Sequence, residues 1–351
     1  MQTSARSSIV LIVALVLFAQ AAVAVDLTVG APETKRKADG QETVQSFHLS
    51  NTINSYTLVW EAVVAPERPN EIASASWAWT TGYVPLGMAA PSQPNWYRQG
   101  FFSWCFDEES LHLYNATSRV VRASGPDAMV EFAWDTPSVK ATIRFAMVEG
   151  SDKLLMFGHY EPKRAIAESY VQLMCYPAFF REPRQRAVTT ALGTRAPGET
   201  INIDFEQERW VLYEDISEGS RGDGSAGLIV GTPDAFSKIV IPVGAYGIET
   251  KAYLAEGETD FAIGLYDFPT LPDRTTTREY FGRMGDAEAA GLQGIAAGDL
   301  DEPLGPMPRD EQRIAAILER SREMFNRPAE IWRPDPEPLG FTWAKSLPGD
   351  D

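Results

Sequence analysis

From about Gln41 to Phe268 the chain alternates apolar and polar side chains at period two, in runs of four to ten residues separated by Gly, Pro, Asp and Ser clusters. Such a run is a half-buried β-strand, because successive Cβ atoms point to opposite faces of a sheet. The runs include Ser55–Val64, Ser110–Asn115, Ala128–Trp134, Val139–Val148 and Lys153–Tyr160, then Glu168–Tyr176, Arg209–Tyr213, Lys238–Pro242 and Gly247–Leu254. They are rich in the aromatic and β-branched residues that fit a pleated surface. No helix-period segment of convincing length interrupts them, which argues against a βαβ architecture. The expected fold is all-β: a large two-sheet antiparallel β-sandwich over residues 25–270, with two smaller β domains as the second choice.

The period changes near the C-terminus. The stretch Arg274–Gly282 predicts a short helix, and a clearer one follows Pro308. There Ile314, Ile317, Leu318, Met324 and Phe325 form one apolar stripe, Asp310 is the N-cap and Pro328 the stop. Residues 271–351 are therefore expected to form a short α-helical and extended appendage packed on the sandwich. At the other end, Arg6 precedes the apolar run Ile9–Phe18, and small residues lead to Ala22-Val23-Ala24. This is the pattern of a secretory signal peptide over residues 1–24, cleaved near Ala24. Ten apolar residues fall short of the roughly 20 a membrane-spanning helix needs. The mature chain is thus expected to be secreted or periplasmic, with no membrane span.

Composition narrows the chemistry. A hydrophobic fraction of 44% and nine Trp supply a large core, so disorder is excluded. With 48 acidic against 31 basic residues the net charge is -17, and only eight of the cations are Lys, so a nucleic-acid surface is excluded as well. Cys105 and Cys175 allow one disulfide in an oxidising compartment, or two small buried side chains. There is no CxxC and no HExxH, so no metal site is expected. Gly222–Gly227 fits GxGxxG, but a strand-like Leu228-Ile-Val follows where a phosphate-binding loop needs a helix, and no cofactor is expected.

Face-by-face reading gathers the candidate site. Leu111 and Leu113 oppose His112 and Tyr114; Ile143 and Phe145 oppose Arg144; Val171 and Leu173 oppose Tyr170, Gln172 and Tyr176; Ile248 and Leu254 oppose Glu249, Lys251 and Tyr253. One greasy face and one face of rings and planar polar groups is what a sugar-binding sheet requires. Trp96, Tyr97 and Arg98 open a further aromatic cluster at a loop. Carbohydrate binding or processing is the leading expectation, with a polysaccharide or oligosaccharide as ligand. In a metal-free lyase or epimerase-like reaction, His112 or His159 would be the base, Arg144 would neutralise a carboxylate and Tyr170 would be the acid. The substrate would lie against Trp96, Tyr97, Arg98, Tyr114, Gln172 and Tyr176. The competing expectation is a non-catalytic envelope protein whose sandwich mediates protein contacts. The two diverge on geometry: a site needs His112, Arg144 and Tyr170 within about 8–10 Å in one hollow, the scale of a ligand cleft.

The strand-dense body and its Trp and Tyr usage are similar in architecture to secreted bacterial sandwich proteins of polysaccharide metabolism, such as the galactose-mutarotase-like super-sandwiches. That resemblance implies a fold and transfers no catalytic residue.

Overall fold

The computed structural model describes residues 25–37, 40–51, 53–64, 72–83, 88–89, 102–175, 186–216, 226–244, 248–267 and 274–315. They are mostly β, and every strand pairing among them is antiparallel. One layer is a nine-stranded sheet whose middle strands run side by side as Asp127–Asp135, Val139–Val148, Leu154–Pro162 and Thr259–Asp267. The opposite layer is divided. A seven-stranded sheet is built around Gly40–Ser50 and Ser55–Val64. Beside it lies a six-stranded sheet ordered Thr200–Asn202, Phe236–Pro242, Ile248–Leu254, Ser169–Cys175, Phe102–Phe106 and Glu109–Ser110. The expected sandwich is present, with one of its two layers made of two sheets.

Aromatic contacts establish the layering. Phe132, Phe145, Tyr160 and Phe261 all lie on one face of the nine-stranded sheet, as the registers Val130↔Phe145, Ala141↔Tyr160 and Gly158↔Phe261 require. Phe47 of the seven-stranded sheet meets Phe132 edge-on with centroids 4.9 Å apart. Trp104 of the six-stranded sheet meets Phe261 at 5.3 Å. Both smaller sheets therefore pack on the same side, and one continuous core runs between the layers. Gly158 is the small residue of its strand because a Cβ there would stand 2.1 Å from the Phe261 ring.

The other side of the nine-stranded sheet is half covered. The helix Arg274–Ala296 lays Tyr280, Phe281, Ala289 and Leu292 against Phe157, Trp210, Leu212, Ile229 and Tyr266. The chain then returns across this helix, burying Leu304 and Met307, and is helical again over residues 311–315. The first helix is thus far longer than Arg274–Gly282. The stripe expected beyond Ala315 lies outside the described residues.

One strand is corrected. Ser110–Asn115 is not a strand: the ladder ends at Ser110, and Leu111–Leu113 form a 3-10 turn. The Tyr114 N–H donates to the Leu111 carbonyl at 3.1 Å, and Leu111 is buried while Leu113 is exposed. Alternation of Leu and polar residues here marks the end of a hairpin at the sheet edge.

Candidate functional site

The outer face of the six-stranded sheet carries an ordered grid of side chains. Registers set Lys238 opposite Tyr253, Tyr253 opposite Tyr170, and Tyr170 opposite Cys105, so these four form one row across four strands. The neighbouring row is Val240, Lys251, Gln172 and Ser103. The alternate residues Ile239, Ala252, Val171 and Trp104 enter the core, which leaves both rows facing outward. The Tyr170 and Tyr253 rings lie 5.2 Å apart, tilted by 44°. Lys238 Nζ stands over the Tyr253 ring at 4.1 Å from its centroid, and Lys251 Nζ over Tyr170 at 5.3 Å.

Electrostatics on this face follow from partial burial. The Tyr170 phenol is pushed up, chiefly by desolvation and then by the neighbouring Cys105 thiol. Burial alone would lower the Lys251 ammonium, but the hydrogen bond and charge of Glu249, 3.1 Å away, outweigh it and raise it. Lys238 is exposed and makes no ion pair among the described residues. Cys105 is a free thiol, with Ser103 Oγ 3.8 Å away. The strand register explains why. Cys175 lies five positions along from Tyr170, the residue facing Cys105, which is about 17 Å at β-strand rise and far beyond the ~7 Å that a disulfide spans.

The remaining candidates are elsewhere. Arg144 projects from the outer face of the nine-stranded sheet, on the opposite outside of the sandwich from Tyr170, since Ile143 and Phe145 fill the core on one side and Val171 and Leu173 on the other. Its Nε donates to Glu131 at 2.7 Å and its Nη2 lies 2.9 Å from Asp301; Arg119 donates to the same Glu131 from the next strand. His159 shares this face, facing Thr142 on one side and Asp260 on the other, with Nδ1 2.8 Å from the Asp260 carboxylate. Tyr114 hydroxyl donates to Glu109 at 2.7 Å, within a network in which Arg164 bridges Glu109 and Asp107. His112 is in the 3-10 turn rather than on a strand face. Trp96, Tyr97, Arg98 and Tyr176 lie outside the described residues.

The structure therefore brings Tyr170 and Gln172 together, and separately Arg144 and His159. It does not bring Arg144 and Tyr170 into one hollow, as the proton-abstraction scheme requires. Alternation puts Tyr253, Lys251 and Glu249 on the polar face, but nothing in the sequence alone marks them as site residues. Lys238 carried no signal, because a bulge between Phe236 and Lys238 shifts the register that aligns it with Tyr253. Among the described residues no cluster of three His, Cys, Asp or Glu is placed to hold a metal ion, and no helix is long and apolar enough to cross a membrane.

No protein-family model matches the chain, and no curated protein matches it significantly. Among solved structures it is similar to a quadruple mutant of an α-N-acetylgalactosaminidase from Bifidobacterium bifidum, at 10% identity and a TM-score of 0.37, covering 75% of this chain and 41% of that one. A TPR-domain-containing protein from Parabacteroides distasonis gives 9% identity and a TM-score of 0.38, covering 73% and 57%. An α-galactosidase from Geobacillus stearothermophilus gives 8% and 0.34, covering 67% and 41%. The chain thus spans between two fifths and three fifths of the length of these structures. At this distance none of them carries an activity over to it.

Proposed function

We propose that this is an exported polysaccharide-binding protein that uses the outer face of the six-stranded sheet. The observation that carries the reading is the row of Tyr253 and Tyr170, ring beside ring, with Gln172, Lys251 and Ser103 in the row alongside. Tyrosine supplies a flat apolar surface for the C–H face of a sugar and a hydroxyl for its rim, while Gln, Lys and Ser offer donors and acceptors for ring hydroxyls. The face is polar enough to be wet and rigid enough to select, because its backbone is fixed in a ladder. Binding without turnover is the fuller account, since the residues a lyase would need lie on two outsides of the body.

Affinity electrophoresis of the mature chain against a panel of neutral and acidic polysaccharides tests this. Retardation by at least one polymer is expected. Tyr170→Ala and Tyr253→Ala should each weaken it by roughly five- to tenfold, on the order of 1 kcal/mol, while Arg144→Ala, on the opposite side, should leave it unchanged. Loss of retardation in Arg144→Ala with both tyrosine variants intact would move the site to the other sheet. No retardation by any member of the panel would favour a protein-contact module. The mass of the exported form checks cleavage near Ala24.

A further inference from the structure

We infer that the polymer this face selects is acidic: a polysaccharide of uronic-acid type, with a carboxylate on the sugar ring. The inference rests on the reading of the face as a glycan surface and deepens it. Its basis is that both tyrosine rings are already capped. Lys238 Nζ sits 4.1 Å from the centroid of Tyr253, and Lys251 Nζ 5.3 Å from that of Tyr170. A sugar that stacks on the ring face where an ammonium stands must move it off, and so gives up a cation–π contact for each ring it covers.

A neutral sugar offers little in exchange. A uronate offers its carboxylate, and a displaced lysine then forms a charge-assisted hydrogen bond stronger than the contact it left. Uncovering the ring and pairing the ammonium are one motion for an acidic sugar and two opposed demands for a neutral one. Lys238 is the better placed, being exposed and without an ion pair among the described residues, whereas Lys251 shares its charge with Glu249 at 3.1 Å. The two ammonium groups stand within neighbouring rows of one sheet in a chain of net charge -17. Attraction for an acidic polymer is therefore local to this face, opposed by the charge of the whole.

The test is affinity electrophoresis of the full chain in gels holding polygalacturonate or alginate, the same polymers as neutral esters, or polyglutamate, which has carboxylates but no sugar ring. The expected result is retardation at least fivefold stronger in the acid polymers than in their esters, and none in polyglutamate. The double variant Lys238→Gln/Lys251→Gln should lose retardation in the acid forms and gain it in the esters, because its rings are uncapped. A melting temperature equal to that of the parent shows that the variant is folded. Equal retardation by acid and ester would overturn the preference while leaving the glycan surface intact. Equal retardation by polyglutamate would reduce the face to ion exchange. Absence of retardation in every uronate gel, with binding elsewhere in the wider panel, would overturn the preference alone; absence throughout the panel would remove the glycan surface with it.

Discussion

At the scale of single residues, Glu131 shows how ion pairs between strands order a polar face. It is clamped by Arg119 and Arg144 from the strands on either side, its side chain 11% exposed. Burial pushes its carboxyl up, but the two guanidinium groups together outweigh burial and hold it below the usual range. The unfolded chain titrates near 4.3. With a depressed folded value, the stabilisation is fully present above that pH and disappears as the pH falls through the folded value. Glu131→Gln should cost about 1–2 kcal/mol at neutral pH, since the largely buried Arg144 and the half-exposed Arg119 lose their shared anion while both keep Asp301 nearby. Denaturant titrations from pH 7 to pH 2 should show the gap between parent and variant closing below about pH 4. A gap independent of pH would mean that the charge contributes nothing. The sequence placed Arg144 correctly on a polar face; its partner was invisible, because alternation gives the side a residue takes and not the register that brings Glu131 across from it.

Elements reveal a different limit. The helix Arg274–Ala296 carries glycines at 282, 285, 291 and 294, each of which costs about 1 kcal/mol relative to Ala in a helix interior, so propensity stops the reading early. Packing explains the excess length. At Gly285 a Cβ would meet the Trp210 ring at 2.3 Å, and at Gly291 it would meet Pro308 at 2.3 Å, so missing side chains let the helix settle on the sheet and the returning chain settle on the helix. At Gly282 a Cβ meets nothing within 4 Å. The two positions should respond with opposite signs. Gly285→Ala should destabilise by about 1–3 kcal/mol through overpacking, despite better propensity. Gly282→Ala should stabilise by up to about 1 kcal/mol. Thermal unfolding of both reads the difference, and a shift of the same sign in each would show that close approach to Trp210 does not govern the helix. The opposite failure occurs at Leu111–Leu113, where strand-like alternation was overridden by a turn at the sheet edge.

For the whole molecule, the governing fact is that a sandwich has two outsides. Alternation separates core from surface at Ile143 and Phe145 against Arg144, and at Val171 and Leu173 against Tyr170, as the packing has it. Period two cannot say which of the two layers a strand joins, so the pattern alone does not separate Arg144 and Tyr170, which lie on opposite outsides. What joins the layers to the appendage is also non-local. Lys153, 1% exposed, donates to Asp152 and to Glu288 of the helix at 2.7 Å each, and Arg313 of the returning chain pairs with Asp152. Burial alone would lower Lys153, yet the two carboxylates hold it well above the ordinary lysine range, so it stays charged. Tyr280 hydroxyl also donates to Glu288. Removing one member of such a set strands a charge in a dry site, which costs about 3–5 kcal/mol, whereas replacing a matched pair by apolar groups is often close to neutral. Lys153→Met should therefore be severely destabilising, and Lys153→Met with Glu288→Leu should recover most of the loss, leaving Asp152 to Arg313. Urea unfolding of the two variants decides it: a double variant no more stable than the single one would show that the sheet, helix and returning chain are held by apolar packing, with the ion pairs as bystanders.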